Sequence, residues 1–204
     1  MKKHILICVF ISIILLPVLS FAQANNKNGK NMNETLKTIH SRKSVRTFAN
    51  KEVSKNDLET LVRAGMAAPS SRNIQPWSFY VISNKATLQK LANGLKNAQM
   101  LAKAPAAIIV CGDNTKGIVE PDQALNWALD CSAATQNILL AAESIGLGAT
   151  WTGVFPYKAR VKVVKELLGL PDNIIPLNAI PIGYPDGNEK AKDKFKTENI
   201  IWLD

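Results

Sequence analysis

Two short segments of this chain carry the residue types from which a site for an anionic ligand can be built. The first holds two arginines, a lysine and a serine within five residues, Arg42-Lys43-Ser44-Val45-Arg46. The second is a turn-prone stretch from Ala68 to Trp77, whose small polar and turn-forming members include Pro69, Ser70, Ser71 and Asn73. Guanidinium and hydroxyl groups form strong hydrogen bonds to phosphate oxygens. The two segments therefore indicate a clamp for an anionic, aromatic cofactor.

The rest of the chain offers little alternative chemistry. It has two histidines, His4 and His40, and the first lies in a segment that we expect to be removed. A multi-histidine metal site is therefore excluded, and a Ser-His-Asp hydrolase would depend on His40 alone. Gly146-Leu147-Gly148 begins a dinucleotide fingerprint, but Trp151 stands where the third glycine belongs. An enzyme with this composition would depend on an imported cofactor.

The N-terminal residues read as a targeting segment. Residues 1–22 have a basic start, an apolar run from Ile5 to Leu19 and small residues on both sides of Phe21, as in a secretory signal peptide. The apolar run is shorter than the ~20 residues that a membrane span needs. We therefore expect cleavage, export to the periplasm and no stable membrane span. Residues 23–33 are predicted to be a flexible linker, and residues 34–204 one domain.

The charge balance is basic, with 25 Lys and Arg against 16 Asp and Glu. These cations are spread along the chain without an aromatic-basic stripe, so we expect no nucleic-acid partner. Cys111 and Cys131 could pair in an exported protein. Their apolar surroundings favour two buried free thiols instead.

The elements that must position the two segments are helices and strands in irregular alternation, which favours an α+β fold. Helices are predicted over about 34–42, 54–67, 121–145 and 157–168, with one or two short helices over about 85–93 and 95–102. Strands are predicted over 78–82, 107–111, 148–153 and 174–182. The helix over 121–145 is apolar around so much of its circumference that it must be buried on more than one side, in the core or against a second subunit. The apolar tail, Ile200 to Leu203, favours packing on a partner subunit.

With these residues in place, the chain resembles the FMN-dependent nitroreductase superfamily in its short form, from about Glu34 to Trp202. Four ordered blocks carry the resemblance: 42–46, 68–77, 146–153 and the pair 182–185 with 192–195. The resemblance implies a three-layer α/β/α sandwich with a mostly antiparallel central sheet. It also implies an intertwined homodimer with FMN sites at the subunit interface.

The resemblance assigns roles to the cationic residues at both ends of the domain. Arg42 and Ser44 would bind the FMN phosphate, Lys43 would belong to the same cofactor-binding segment, and Arg46 would lie nearer the flavin ring. Lys192 and Lys194 would also reach the phosphate, although Lys194 stands where the family commonly has arginine. The neighbouring Lys190 and Lys196 are interpreted as a solvated face.

The other blocks would contact the ribityl chain and the ring. Pro69, Ser70, Ser71 and Asn73 would reach FMN from the neighbouring subunit. Trp151, Thr152 and Gly153 would pass along the flavin face, with the backbone N–H near Gly153 donating to flavin N5. A glycine permits such a close approach. No side-chain acid or base and no metal is expected.

The function implied is that of an FMN-dependent NAD(P)H oxidoreductase with a ping-pong mechanism and nitroaromatic or quinone-like acceptors. The short stretch between Gly112 and Pro121 predicts an open site and loose acceptor selectivity. A reductive specialist such as a dehalogenase, or an exported flavin-binding protein without turnover, stays an alternative. Export also leaves the electron donor open, because nicotinamide cofactors are not normally plentiful outside the cytoplasm.

Overall fold

The fold is seen in a computed structural model that describes residues 32–117 and 120–203. The predicted signal peptide and almost all of the predicted linker lie outside these residues. The described helices are α1 (Glu34–Ser41), α2 (Lys55–Met66), α3 (Lys85–Gly94), α4 (Asn126–Ser144) and α5 (Lys158–Leu168), and the strands are β1 (Trp77–Ile82), β2 (Ala106–Asp113), β3 (Gly148–Ala149), β4 (Thr152–Gly153) and β5 (Ile174–Gly183). None of these helices is long and apolar enough to cross a membrane.

Local capping signals explain several helix boundaries. The side chains of Asn33 and Ser54 accept backbone N–H groups at the starts of α1 and α2, as N-cap residues do. Gly169 follows α5 with φ 63°, the left-handed conformation that suits glycine after a helix. Two predicted helices were wrong in extent. The chain from Pro121 to Gln123 forms a separate 3₁₀ turn before α4, and Gln99–Ala102 is 3₁₀ rather than α-helical.

The central sheet is antiparallel throughout its named strands. Its order is β1-β2-β5-β3, and β4 also pairs with β5. β3 and β4 share one register on β5, since Gly148 faces Gly183 and Gly153 faces Asn178. The predicted strand over 148–153 is therefore interrupted at its centre. In this register the break at Thr150 falls opposite Pro181, which has no N–H to donate.

Helices cover both faces of the sheet, which confirms the predicted three-layer architecture. Residues from α2 and α4 share one core cluster with Ile108 and Val110 of β2. Residues from α3 and α5 share the other cluster with Ile109 and Cys111 of the same strand. A strand that is apolar on both faces is typical of a fully covered sheet.

The two described cysteines are free thiols in this core. The Sγ atom of Cys131 lies 3.5 Å from the carbonyl oxygen of Cys111. Burial raises the pKa of the Cys131 thiol to about 12, and burial also raises the pKa of Cys111 strongly. Because the thiolate is the reactive form, both groups are expected to be inert in the folded protein.

Thiol labelling tests this expectation. Iodoacetamide at pH 8 should leave Cys111 and Cys131 unmodified in the native protein and alkylate both in urea, as read by peptide mass spectrometry. Modification of either residue without denaturant, or recovery of the two as a linked peptide, would contradict the assignment of buried free thiols.

Candidate functional site

The segment Arg42–Arg46 leaves α1 and runs extended along the edge of the sheet. Val45 is fully buried, and its N–H donates to the carbonyl of Ala149 at 3.1 Å. Ser44 forms a parallel bridge with the same residue. Since side chains alternate along extended backbone, Val45 points into the core while its two neighbours point to the other side. The segment thus anchors itself by one apolar residue and presents polar groups outward.

Gly148 lets this segment lie close to β3. A Cβ atom placed on Gly148 would lie 2.6 Å from Cγ1 of Val45, a distance that real side chains do not adopt. Gly153 differs, because a Cβ there would meet no atom within 4 Å.

A pair of alanine variants tests this contrast. Gly148→Ala should lower the free energy of unfolding by about 1–3 kcal/mol, because it forces Val45 out of its place. Gly153→Ala should leave the free energy of unfolding close to that of the parent. Urea unfolding followed by circular dichroism measures both, and equal losses in the two variants would refute the close packing of Val45 on Gly148.

The C-terminal tail returns to the Arg42–Arg46 segment after β5. Ala49 donates its N–H to Tyr184 and Asp186 donates to Thr47, at 2.9 and 3.1 Å. The N–H of Arg46 then donates to the Glu189 carboxylate at 2.9 Å. This hydrogen bond is the main cause that lowers the pKa of Glu189. The tail is therefore tied beside the cationic segment just before its lysines begin.

These two parts of the chain enclose a cavity of about 370 Å³, here called the basic pocket. Its lining residues are Arg42, Lys43, Ser44, Arg46, Glu189, Lys190, Lys192 and Lys194. The structure thus brings together six of the predicted site residues, from segments about 150 positions apart in the printed sequence. Lys190, predicted as part of a solvated face, also lines the pocket.

The cations of the basic pocket differ in whether another group of the protein already pairs with them. The Lys43 ammonium lies 3.2 Å from the Glu143 carboxylate of α4, and both side chains are largely buried. Lys43 therefore ties the segment to α4. Within the described part of the chain, the side chains of Arg42, Lys192 and Lys194 make no hydrogen bond or ion pair. These three are available to an anion.

The second predicted segment lies at the opposite corner of the sheet. It leads into β1, the far edge strand, whereas Ser44 adds beyond β3. Four strand spacings separate the two edges, roughly 19 Å. The two segments are also offset along the strands. Trp77 pairs with Gly112 of β2, six residues along that strand from the level of Ser44, and this offset is roughly 20 Å. One protomer therefore does not bring the two segments together.

The loop before β1 is held in an uncommon conformation. Three non-glycine residues within four positions have positive φ, Arg72 at 50°, Asn73 at 56° and Gln75 at 52°. The N–H of Ser71 donates to the Asp130 carboxylate of α4 at 2.9 Å, and the N–H of Gln75 donates to the Ser70 hydroxyl. Such clusters of strained backbone are typical of functional loops that the surrounding structure holds in place.

Gly153 lies half-buried at the edge of the sheet. Val154 donates its N–H to Leu177, so by the alternation of antiparallel pairs the N–H and C=O of Gly153 point away from β5. The Gly153 carbonyl accepts from the side chains of Asn97 and Arg160, at 3.2 and 3.0 Å. The space beside its N–H is open, so a flat ligand can approach this N–H closely.

The flanking residues of this strand differ in exposure. Thr152 is buried and its hydroxyl donates to the carbonyl of Ala179. Trp151 lies at the interruption of the strand and is 39% exposed. Part of its side chain is therefore accessible from solvent, as an aromatic contact with a planar ligand requires.

Sequence reasoning missed several groups that shape the site. Lys190 could have been included, since it stands two positions from Lys192 and extended backbone points both to one side. Nothing in the sequence indicates a role for Glu189, because a single carboxylate in a lysine-rich tail is expected to be solvated. Asn97 and Arg160 also gave none, because each meets Gly153 only through the tertiary fold.

Comparisons with known proteins find relatives in sequence and in fold. The sequence model described as the nitroreductase family matches residues 39–113 and 93–184. An Archaeoglobus fulgidus protein with the provisional description NADH dehydrogenase/NAD(P)H nitroreductase is 41% identical, over 83% of this chain and 97% of its own length. A Bacteroides thetaiotaomicron crystal structure with the same provisional description is 48% identical, with a TM-score of 0.78 over 83% of this chain and 97% of its own. An FMN-dependent nitroreductase from Clostridium difficile is 27% identical, with a TM-score of 0.74 over 82% of this chain and 98% of its own.

Proposed function

The chain belongs to the nitroreductase family, and we propose that it holds FMN between the basic pocket and Gly153 to reduce nitroaromatic or quinone-like acceptors. Membership makes it an NAD(P)H-dependent oxidoreductase, and FMN is its cofactor. When bound, FMN supplies hydride-transfer chemistry that no side chain of this protein offers. The donor and the acceptor would use the same face in turn, in a ping-pong cycle.

The observation that carries the proposal is the basic pocket itself. An FMN phosphate is a dianion with several acceptor oxygens, and it requires several donors that the protein does not already use. Arg42, Lys192 and Lys194 meet this requirement, and Ser44 adds a hydroxyl. Charge-assisted hydrogen bonds of this kind are about twice as strong as neutral ones.

The ring would lie along Gly153, where the protein leaves space for it. A Cβ at Gly153 would occupy that space, so the glycine fits a close contact between backbone and ring. The backbone N–H there is directed away from β5 and can donate to the ring edge. Arg46, on the pocket side, would add a positive charge that favours the reduced form.

We further propose that the working form is a homodimer. The loop from Pro69 to Asn73 lies too far from the basic pocket to serve the same FMN within one protomer, so a second protomer would supply it. Leu125 and Leu129, beside and on α4, are 57% and 68% exposed. Exposed leucines grouped on one helical surface are typical of an interface with another subunit.

The acceptor would enter without passing a large cover. The described residues after β2 form a short turn, Asn114 to Gly117, which supports loose selectivity among electron-poor aromatic acceptors. We also propose export to the periplasm through residues 1–22. N-terminal sequencing of protein recovered from the cell envelope would test the cleavage site.

A visible spectrum of the purified protein tests the proposal. The protein should show flavin absorption, and heat should release FMN, identified by chromatography and mass spectrometry. NADH or NADPH should bleach the bound flavin without oxygen, and a nitroaromatic or a quinone should restore its colour. A colourless protein that does not take up added FMN would refute the assignment, and a flavin that NAD(P)H leaves oxidised would reduce the function to binding.

Gly153→Ala should weaken FMN binding by about 10-fold or more, because its methyl group enters the space assigned to the ring. Fluorescence titration of the apoprotein measures this affinity. The unfolding experiments above serve as the control, since the substitution should leave the fold unchanged. An unaltered FMN affinity would place the ring elsewhere.

A further inference from the structure

Two side chains outside the predicted site converge on one backbone carbonyl. Asn97 Nδ2 and Arg160 Nη1 both donate to the oxygen of Gly153. This carbonyl belongs to a two-residue strand at the sheet edge, with no side chain of its own to hold it. A carbonyl at a sheet edge normally accepts hydrogen bonds from water. Here two side chains donate to it instead, and they restrict the orientation of Gly153.

Arg160 is itself fixed before it reaches Gly153. Its guanidinium carbon lies 3.9 Å from the ring centroid of Tyr157, the residue that directly precedes α5. Stacking on an aromatic face leaves the in-plane N–H groups free to donate. Because the planar guanidinium is held by the ring, its hydrogen bond to Gly153 has a defined direction.

Asn97 donates to the same carbonyl, and this orientation leaves the oxygen of its amide without a partner among the described residues. This Oδ1 atom is buried. Buried polar atoms are nearly always paired, so an exception needs a reason. The opposite orientation of the amide would set two oxygens against each other at Gly153. The hydrogen bond to the carbonyl therefore determines how this side chain lies.

We propose that Arg160 and Asn97 are positioning residues, which hold the backbone of Gly153 through its carbonyl so that the N–H of the same residue is placed for its contact with the bound flavin. The inference rests on the proposed function, in which the Gly153 N–H meets the ring. Arg160 also brings a positive charge to the carbonyl of Gly153, on the opposite side of the same Cα from the N–H that would meet the flavin. Its loss should therefore both loosen the geometry and disfavour the reduced, more negative cofactor.

The test compares Arg160→Met, Arg160→Lys and Asn97→Ala with the parent enzyme. Arg160→Met should still bind FMN, but NAD(P)H should reduce the flavin about 10- to 100-fold more slowly, as for a misplaced reacting group. Its flavin midpoint potential should become more negative. Arg160→Lys keeps the positive charge. Its flavin midpoint potential should therefore lie close to the parent value, whereas its rate of flavin reduction should stay lower than that of the parent. Asn97→Ala should slow reduction without moving the potential.

The matched control is Lys162→Met, which removes an exposed cation from the same helix. It should leave rate and potential at parent values. A change in unfolding free energy without a change in rate or potential in Arg160→Met and Asn97→Ala would overturn the inference. If one of the two variants does not fold, the other decides alone. A parent protein that takes up no FMN would refute the proposed function, whereas a normal parent with normal variants refutes only the positioning role.

Discussion

An Arg42→Ala variant is expected to bind FMN about 10- to 100-fold more weakly than the parent protein. The guanidinium lines the basic pocket and has no hydrogen bond or ion pair within the described chain. Its full donor capacity is therefore free for the phosphate. A hydrogen bond to a charged group contributes about 1.5–3 kcal/mol, which corresponds to this change in affinity. Fluorescence titration of the apoprotein with FMN measures the effect.

Arg63→Ala is the matched control for this experiment. Arg63 lies on α2, is exposed, and pairs with Glu59 at 2.6 Å outside the basic pocket. Exposed pairs of this kind contribute little, so both FMN affinity and stability should stay near the parent values. Equal losses of affinity in the two variants would indicate a general effect of charge rather than a phosphate contact.

Lys43→Ala should lower the stability of the fold, whereas the loss in Arg42→Ala is expected in FMN binding, although the two residues are adjacent in the sequence. The Lys43 ammonium is engaged by Glu143, which is 14% exposed and would lose its partner. Leaving a largely buried charge unpaired lowers stability. Composition alone does not separate the two residues, because both are cations in one short segment.

Local rules predicted the parts of the fold that local physics controls. Asn33 and Ser54 begin helices because their side chains accept the first free N–H groups. Gly169 ends one because it adopts a left-handed conformation without strain. The alternation that points Arg42 and Ser44 outward follows directly from the burial of Val45.

Features that depend on distant partners could not be predicted in this way. The interruption between β3 and β4 arises opposite Pro181, about 30 positions away in the printed sequence. Glu189 is informative only once its carboxylate is seen on the Arg46 N–H. The two donors to Gly153 come from a loop after α3 and from α5, which are brought together only by packing against the sheet. Sequence reasoning named the residues proposed to bind FMN, and the tertiary structure shows which other residues contact them.

The separation of the two predicted segments makes the tail central to the proposed dimer. The tail passes the basic pocket at Lys190 and ends with apolar side chains that contact little of their own protomer. Ile201 and Trp202 are 81% and 80% exposed. Large exposed apolar residues of this kind, Trp above all, act as anchors when they enter a partner's surface. Deleting the whole tail would not test this role, because Lys192 and Lys194 would be lost with it.

The double variant Ile201→Ser, Trp202→Ser separates the two roles of the tail. It keeps the basic pocket intact, yet it should convert the dimer to a monomer at micromolar concentration and reduce FMN binding at least 10-fold, because the partner's loop is lost with the dimer. Sedimentation equilibrium and FMN titration measure the two effects on the same samples. Lys196→Ser, Glu198→Ser changes two exposed polar residues of the same segment and should leave both unchanged. A dimer that persists with full FMN affinity in the apolar variant would show that the tail does not join the subunits.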